Sequence, residues 1–251
     1  MRRKEVFLYG ILIVIALGFY MKSKRDKVHH ARHEDRPEAF QGEDRTEQLG
    51  SFSLIEASGD VQIVLAEGDA AELQLKAGEG DHRRLRYEIR GERLVLWTEG
   101  WDHGGAPPVV YLNCQPGMLQ GIEASGAVRV DGDYVLKGDE VKLRASGASS
   151  FDVDVDARQL DVEADGASQV DLSGKADAAV FRLSGASRLD ADSMESSDIA
   201  VEASGAAQAE IDATGKLRVE ASGASRVHSD STPKEAETRV SGAASYSADE
   251  D

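Results

Sequence analysis

Acidic side chains recur at a fixed distance after a repeated glycine, in a spacing that could serve cation binding. They stand five residues after successive glycines, and the set is Asp131, Asp152, Asp171, Asp190 and Glu210, followed by His228. Asp152 and Asp171 are preceded, two positions earlier, by the uncharged Ser150 and Gln169, where three other repeats carry Arg129, Arg188 and Arg226. Ca²⁺ prefers carboxylate oxygens but needs six or more ligands. Asp152 and Asp171 are therefore candidate cation ligands, against the simpler interpretation that the column is a solvated acidic surface.

Three other groups of residues suggest chemistry. A Ser-Gly pair resembles a nucleophile, but eight equivalent copies with Ser or Asp before the glycine favour a repeated turn, because a nucleophile needs one activated serine beside a base. His29 and His33 have the spacing of helical metal ligands, yet their polar surroundings offer no fixed ligand geometry. Trp101 lies in a glycine-rich stretch, and exposed tryptophan can stack on sugars or anchor a protein partner. Trp101 is therefore the candidate ligand-contact residue.

The glycines belong to a repeat that extends through most of the chain. From the second copy onward, successive glycines are 18 to 21 residues apart, and one outlying copy stands far before them. The corner glycines are Gly59, Gly126, Gly147, Gly166, Gly185, Gly205, Gly223 and Gly242. Such a fixed period is typical of a repeat architecture, in which each repeat is one structural unit stacked on the next.

Apolar residues alternate with polar ones on both sides of each glycine. Leu217, Val219 and Ala221 precede Gly223 at alternate positions, which is the period of a strand. Each repeat is therefore predicted to be a strand, a sharp corner at a glycine with positive φ, a second strand and a return loop. The predicted fold is all-β: a right-handed parallel β-helix, or solenoid, with about 19–20 residues per rung and inward side chains in one continuous core.

Outward positions carry charges of mostly alternating sign. Three residues before the glycines stand Glu123, Arg144, Glu163, Arg182, Glu202, Glu220 and Arg239. Neighbours on adjacent rungs should attract each other, which favours the register of the stack. The net charge is −17, of which −22 falls after residue 36. Nucleic-acid binding needs basic surface, so no nucleic-acid partner is predicted.

The N-terminal residues differ from the rest in composition. A basic start precedes the uncharged run 6–21, and no small-residue cleavage site follows, so the sequence predicts one uncleaved transmembrane helix that contacts the membrane. Basic residues flank the run on both sides, which leaves the orientation open. The predicted divisions are an anchor at 1–21, a disordered polar linker at 22–50, and a β-helix domain at 51–247, with an irregular start and cap at 51–120 and regular rungs at 121–247.

The leading segment from Phe52 to Ile63, FSLIEASGDVQI, followed by the Ser-Gly-Ala rungs, resembles the putative auto-transporter adhesin, head GIN domain family of bacterial envelope proteins. The resemblance covers residues from about 50 to 247. It implies a β-helix held outside the cytoplasm, in the periplasm or at the cell surface, and it implies no catalytic motif. Asp165 departs from the corner serine of the family, a change that a turn tolerates.

Three functions fit these features. The leading prediction is a non-catalytic, membrane-anchored protein of the cell envelope that binds a cell-wall glycan or an envelope protein. The second is a structural scaffold that self-associates through the solenoid ends. The third is a polysaccharide-active β-helix enzyme, which needs a singled-out pair of carboxylates and long loops. Because the acids fall in regular columns, the sequence favours a protein that is not an enzyme, and no cofactor is predicted.

Overall fold

The computed structural model describes residues 44–76, 79–99 and 106–249. The predicted anchor at 1–21, the linker histidines His29 and His33, and Trp101 lie outside the described residues. Within the described part, no helix is long and apolar enough to cross a membrane. The predicted anchor and the linker up to residue 43 therefore stay predictions. The predicted end of the linker at residue 50 was wrong, because Arg45–Gln48 form a strand that pairs with the rest of the sheet.

The described chain is all-β, as predicted, apart from one 3₁₀ turn at His82–Arg84. The strands are β1 Arg45–Gln48, β2 Leu54–Gly59, β3 Gln62–Glu67, β4 Glu72–Leu75, β5 Leu85–Arg90, β6 Arg93–Thr98, β7 Val109–Cys114, β8 Gly121–Gly126, β9 Arg129–Gly132, β10 Val135–Ala145, β11 Ser150–Ala164, β12 Gln169–Leu183, β13 Arg188–Ala203, β14 Gln208–Ala221, β15 Arg226–Ser229, β16 Glu235–Val240 and β17 Ser245–Ala248. They coil into a β-solenoid of about 7 turns.

Parallel pairing between successive rungs runs almost without interruption. β11 pairs with β12 from Ser150 opposite Gln169 to Ala164 opposite Leu183. The side of the rung that was predicted to be a return loop lies within this ladder, so that part of the prediction was wrong for these rungs. The reason is that a constant repeat length lets backbone groups on every side of the rung meet their partners. Longer repeats are absorbed by irregularities, such as the one after Asp171 in the pairing of β12 with β13.

Inward side chains form columns along the axis and together make one core. The column four residues before the corner glycines is buried throughout these rungs: Ile55, Ile122, Leu143, Val162, Phe181, Val201 and Val219. Burying an aliphatic or phenyl side chain of this size contributes roughly 1.5–3 kcal/mol each. A second column, two residues after the glycines, contains buried serines: Ser149, Ser168, Ser187 and Ser225.

The first part of the chain does not stack in chain order. β2 pairs in parallel with both β6 and β8, and β3 pairs in parallel with both β7 and β9. The rung made by β2 and β3 therefore lies between two rungs that follow it in the sequence, and Gly59 stands in register with Gly126. Beyond it, β5 pairs antiparallel with β6, β4 with β7, and β1 with β4. These antiparallel strands form the N-terminal end of the stack.

The corners are held by a column of backbone hydrogen bonds. Gly166 has φ of +77°, which a residue with a side chain rarely adopts. The amide of the next residue, Ala167, donates to the carbonyl oxygen of Gly147 on the preceding rung at 2.7 Å, and the same bond recurs at the other corners from Ala127 to Ala243. The glycines therefore both turn the chain and bring the rungs into close contact.

Candidate binding groove

The charged column three residues before the corner glycines lies on one outward sheet face. Arg144 contacts Glu123 at 3.4 Å and Glu163 at 3.1 Å, so one guanidinium joins three rungs. Arg239 contacts Glu220 at 2.8 Å. These side chains are about half exposed, and exposed pairs contribute only ~0.2–1 kcal/mol each. The column therefore supports register more than overall stability.

A groove of about 800 Å³ follows this column across five rungs. One wall is the charged column, and the other is the column of corner residues just before each glycine. Between them lie the small or apolar residues of the intervening position, which form the floor. The charged wall is Glu163, Arg182, Glu202, Glu220 and Arg239, the corner wall is Asp165, Ser184, Ser204, Ser222 and Ser241, and the floor is Ala164, Leu183, Ala203, Ala221 and Val240.

A second, smaller groove of about 450 Å³ lies on the same sheet face, and in each rung its lining residues come just before those of the main groove in the chain. Its lining includes Val180 and Ala200, which are small outward residues where other rungs carry Asp161 or Arg218. The face thus offers two parallel channels that run along the axis, with the charged column between them. Both arise because long and short side chains occupy separate columns.

Hydrogen bonds lower the pKa of two carboxyl groups of the main groove, Glu220 and Asp165. The pKa of Glu220 is lowered by hydrogen bonds from Arg218 and then Arg239. The pKa of Asp165 is lowered by a hydrogen bond from Ser184, at 2.6 Å, and by the backbone amide of Gly166. A general acid needs a raised pKa, and a glycosidase gives the two carboxyl groups of its active site different pKa values. The groove instead offers fixed negative charges, guanidinium donors and hydroxyls, which suits binding.

The candidate cation ligands do lie on adjacent rungs. Asp152 is in register with Asp171, and Asp171 accepts hydrogen bonds from the side-chain amide of Gln169 at 3.0 and 3.3 Å. In the ranges that the structure describes, no group of three or more His, Cys, Asp or Glu side chains is arranged to hold a metal ion. A cation at Asp152 and Asp171 stays a prediction.

Further along the same acidic column, burial changes the pKa of one carboxyl group, that of Asp190. Asp190 lies between Asp171 and Glu210 on the neighbouring rungs. Desolvation raises the pKa of Asp190, and the negative charges of Asp192, Glu210 and Asp171 raise it further. This column therefore carries some electrostatic strain at neutral pH.

The groove was not part of the expectation from sequence, although its signal was present. Serine or aspartate stands directly before every corner glycine, and a long charged residue stands two positions before that. In a parallel stack those two columns must run side by side on the outside of the sheet, with a gap between them.

A family profile described as "Putative auto-transporter adhesin, head GIN domain" matches residues 51–233. The chain belongs to this family. No curated protein matches the chain. The match runs from before β2 to after β15, so it includes the Gly59 rung and four of the five rungs of the groove, and it leaves out β1, β16 and β17.

Three solved structures have a fold similar to that of this chain. A putative adhesin from Bacteroides fragilis is 16% identical, with a TM-score of 0.74 over 82% of this chain and 95% of that one. A putative adhesin from Parabacteroides merdae is 17% identical, with a TM-score of 0.60 over 83% and 97%. A structure from Parabacteroides distasonis that is named a putative lipid binding protein is 13% identical, with a TM-score of 0.60 over 83% and 98%. At these identities the likeness shows the fold alone.

Proposed function

We propose that this head GIN protein is a non-catalytic binding module of the cell envelope whose groove holds an extended, uncharged polyhydroxyl chain, such as a cell-wall glycan. In this proposal the coil is right-handed, residues 1–21 anchor the protein in the membrane, and the β-solenoid lies outside the cytoplasm. The family to which the chain belongs supports an envelope location. The observation that carries the proposal is the continuous groove with the same polar groups repeated on five rungs.

The repeat of the groove favours a polymer over a small molecule. Rungs lie about 4.8 Å apart, so five rungs present equivalent groups over roughly 19 Å. Sugar hydroxyls both donate and accept hydrogen bonds, and the groove supplies carboxylate acceptors and guanidinium donors along one wall and mostly serine hydroxyls along the other. Each exposed contact is weak, but several on one chain add through effective concentration.

Charge narrows the class of ligand. The chain after residue 36 carries a net charge of −22, so an anionic polymer would be repelled over the whole approach. Within the groove, arginines already pair with carboxylates of the same wall, as Arg239 does with Glu220 at 2.8 Å. A neutral ligand avoids both costs, and the absence of an aromatic residue from the groove lining indicates recognition by hydrogen bonds.

Filling the groove tests the proposal. Ser204→Arg places a long side chain in the corner wall, and the exposed Gln208→Arg makes the same change of charge outside the groove. Binding of the full-length protein to isolated cell-wall glycans and to soluble neutral oligosaccharides is measured by calorimetry. We expect affinity to fall at least ~10-fold for Ser204→Arg and to stay unchanged for Gln208→Arg. Equal affinity of the two variants, or no binding to any glycan by the parent protein, would reject the groove as a glycan site.

The location is tested separately. The full-length protein should sediment with membranes and keep its N-terminus, and a reporter enzyme that works only outside the cytoplasm should be active when fused after Asp251. A mature protein that begins after Met21 would contradict the anchor, and an inactive reporter would contradict the orientation.

A further inference from the structure

The sheet that carries the groove ends at β16, and this edge is open. Among the described strands, β16 pairs with β14 alone. All six of its residues are exposed, including those that continue the inward columns, Ala236, Thr238 and Val240. Val240 is 44% exposed, although the equivalent residue one rung earlier, Ala221, is 3% exposed. Along β16 the last rung thus presents an unpaired backbone edge and a strip of small, uncharged side chains.

The opposite end of the solenoid is protected against a further rung. β1 sets Arg45 and Glu47 opposite the buried Leu75 and Leu73, so charged residues take inward positions at that edge. Glu47 also accepts a hydrogen bond from the hydroxyl of Tyr87, which fixes its carboxylate there. Inward charges on an edge strand prevent pairing with another sheet. The inward positions of β16 carry no charge, so the two ends differ in kind.

The edge sequence of β16 is complementary to itself in an antiparallel register. With Thr238 opposite its own copy, Glu237 stands opposite Arg239 and Arg239 opposite Glu237 on the outward side. On the inward side Ala236 stands opposite Val240 in both directions. In this register Glu237 and Arg239 each meet the opposite charge. The inward residues Ala236, Thr238 and Val240 each meet an uncharged residue.

We propose that the C-terminal edge strand β16 binds the same strand of a second copy of this chain, antiparallel and centred on Thr238, to form a two-fold dimer. A two-fold interface uses the same patch on both partners, so assembly stops at two copies. The alternative in which β16 meets β17 of the second copy about Gly242 places Glu235 opposite Asp249, and these like charges disfavour it. Arg239 and Val240 also line the groove, but the inference does not depend on glycan binding, because its tests measure dimerisation without any glycan present.

Disulfide trapping tests the register. In the proposed dimer the two Thr238 side chains face each other across the axis with Cβ atoms about 4.5–5.5 Å apart, which is within reach of a disulfide after a small shift. Full-length Thr238→Cys should form a covalent dimer under mild oxidation, seen on a non-reducing gel. Ser247→Cys on β17 and Ile89→Cys on the other end strand, β5, are the matched exposed controls. The native Cys114 is buried and its pKa is raised to about 12 by desolvation, so it should stay unreactive.

Charge reversal supplies a second, independent test. Glu237→Arg alone sets arginine opposite arginine across the axis, and Arg239→Glu alone sets glutamate opposite glutamate, whereas a mixture of the two variants restores opposite charges in both pairs. We expect each variant alone to dimerise at least ~10-fold more weakly than the parent, and the mixture to regain dimers, as measured by sedimentation in detergent. Thermal unfolding of each variant checks that it is folded. A parent protein that is monomeric at all concentrations, Thr238→Cys that forms no more dimer than Ile89→Cys, or a mixture no better than its components would overturn the proposal.

Discussion

Replacing a corner glycine by alanine should cost more than the positive φ alone explains. Gly166 has φ of +77°, and a Cβ atom added there would lie 2.7 Å from the carbonyl oxygen of Gly147 and 3.1 Å from its nitrogen. Gly117 has a similar φ of +74°, but nothing lies within 4 Å of its added Cβ. The two glycines therefore share the conformational strain and differ in the contact with the neighbouring rung.

The magnitude follows from these two contributions. Strain of a left-handed backbone costs an alanine roughly 1–2 kcal/mol at either site. At Gly166→Ala the carbonyl of Gly147 must also move, which weakens the 2.7 Å bond that it accepts from Ala167, and overlap of this kind adds about 1–3 kcal/mol. The gain from reducing the freedom of the unfolded chain is the same in both variants and cancels. We expect Gly166→Ala to be about 2 kcal/mol less stable than Gly117→Ala.

Urea and thermal unfolding measure this difference. For a domain of this size, about 2 kcal/mol corresponds to a difference in Tm of roughly 4–8 °C. The slope of the urea transition should be equal in the two variants if both unfold as one unit. Equal losses of stability in Gly166→Ala and Gly117→Ala would refute the argument that the glycine column is needed for the close approach of the rungs.

The other predictions concern buried and exposed polar groups. The buried hydroxyl of Ser168 has no hydrogen-bond partner among the described residues, so Ser168→Ala should leave Tm unchanged or raise it, whereas Ser149→Ala, which removes a 2.8 Å bond to Ser146, should cost about 1 kcal/mol in urea unfolding. The pKa of Asp190 is raised in the folded protein, so keeping this side chain ionised lowers the stability at neutral pH. Asp190→Asn should therefore raise Tm at neutral pH. The gain in Tm should vanish once the pH falls below the ordinary pKa of an aspartate, because Asp190 is then protonated in both the folded and the unfolded state. Arg144→Ala should reduce stability by less than about 1 kcal/mol despite its two ion pairs, because these pairs are exposed; a larger loss would show that the charged column is important for folding.

The local repeat was readable from the sequence alone. The period of the glycines, the alternation of apolar residues around them and the signs of the charged column predicted an all-β stack in which equivalent residues lie above one another. The structure confirms this most simply for β10 to β12, where paired residues are 19 positions apart in both pairings. Prediction succeeds here because a nearly constant repeat length leaves one parallel register that keeps every apolar residue on the inside.

Tertiary structure alone decided the order of the rungs at the N-terminal end. On one edge of β2, Glu56 stands opposite Glu123 and Gly59 opposite Gly126 in β8. On its other edge β2 pairs with β6, which lies between β2 and β8 in the sequence. Nothing local in β2 or β3 distinguishes these neighbours, since an alternating strand can pair on either edge with any partner of matching pattern. The choice depends on the antiparallel strands β1, β4 and β5, which can close only one end of the core.

The same distinction applies to the candidate site. Each wall of the groove consists of residues at one fixed position in the repeat, so the composition of the walls can be predicted from the sequence. The depth of the groove depends on which columns of side chains lie next to each other. The open edge of β16 depends on which rung is the last in the stack. Both are consequences of backbone pairing between strands that are distant in the sequence. A repeat specifies how each unit contacts the next, and the coiled chain as a whole determines where those contacts stop.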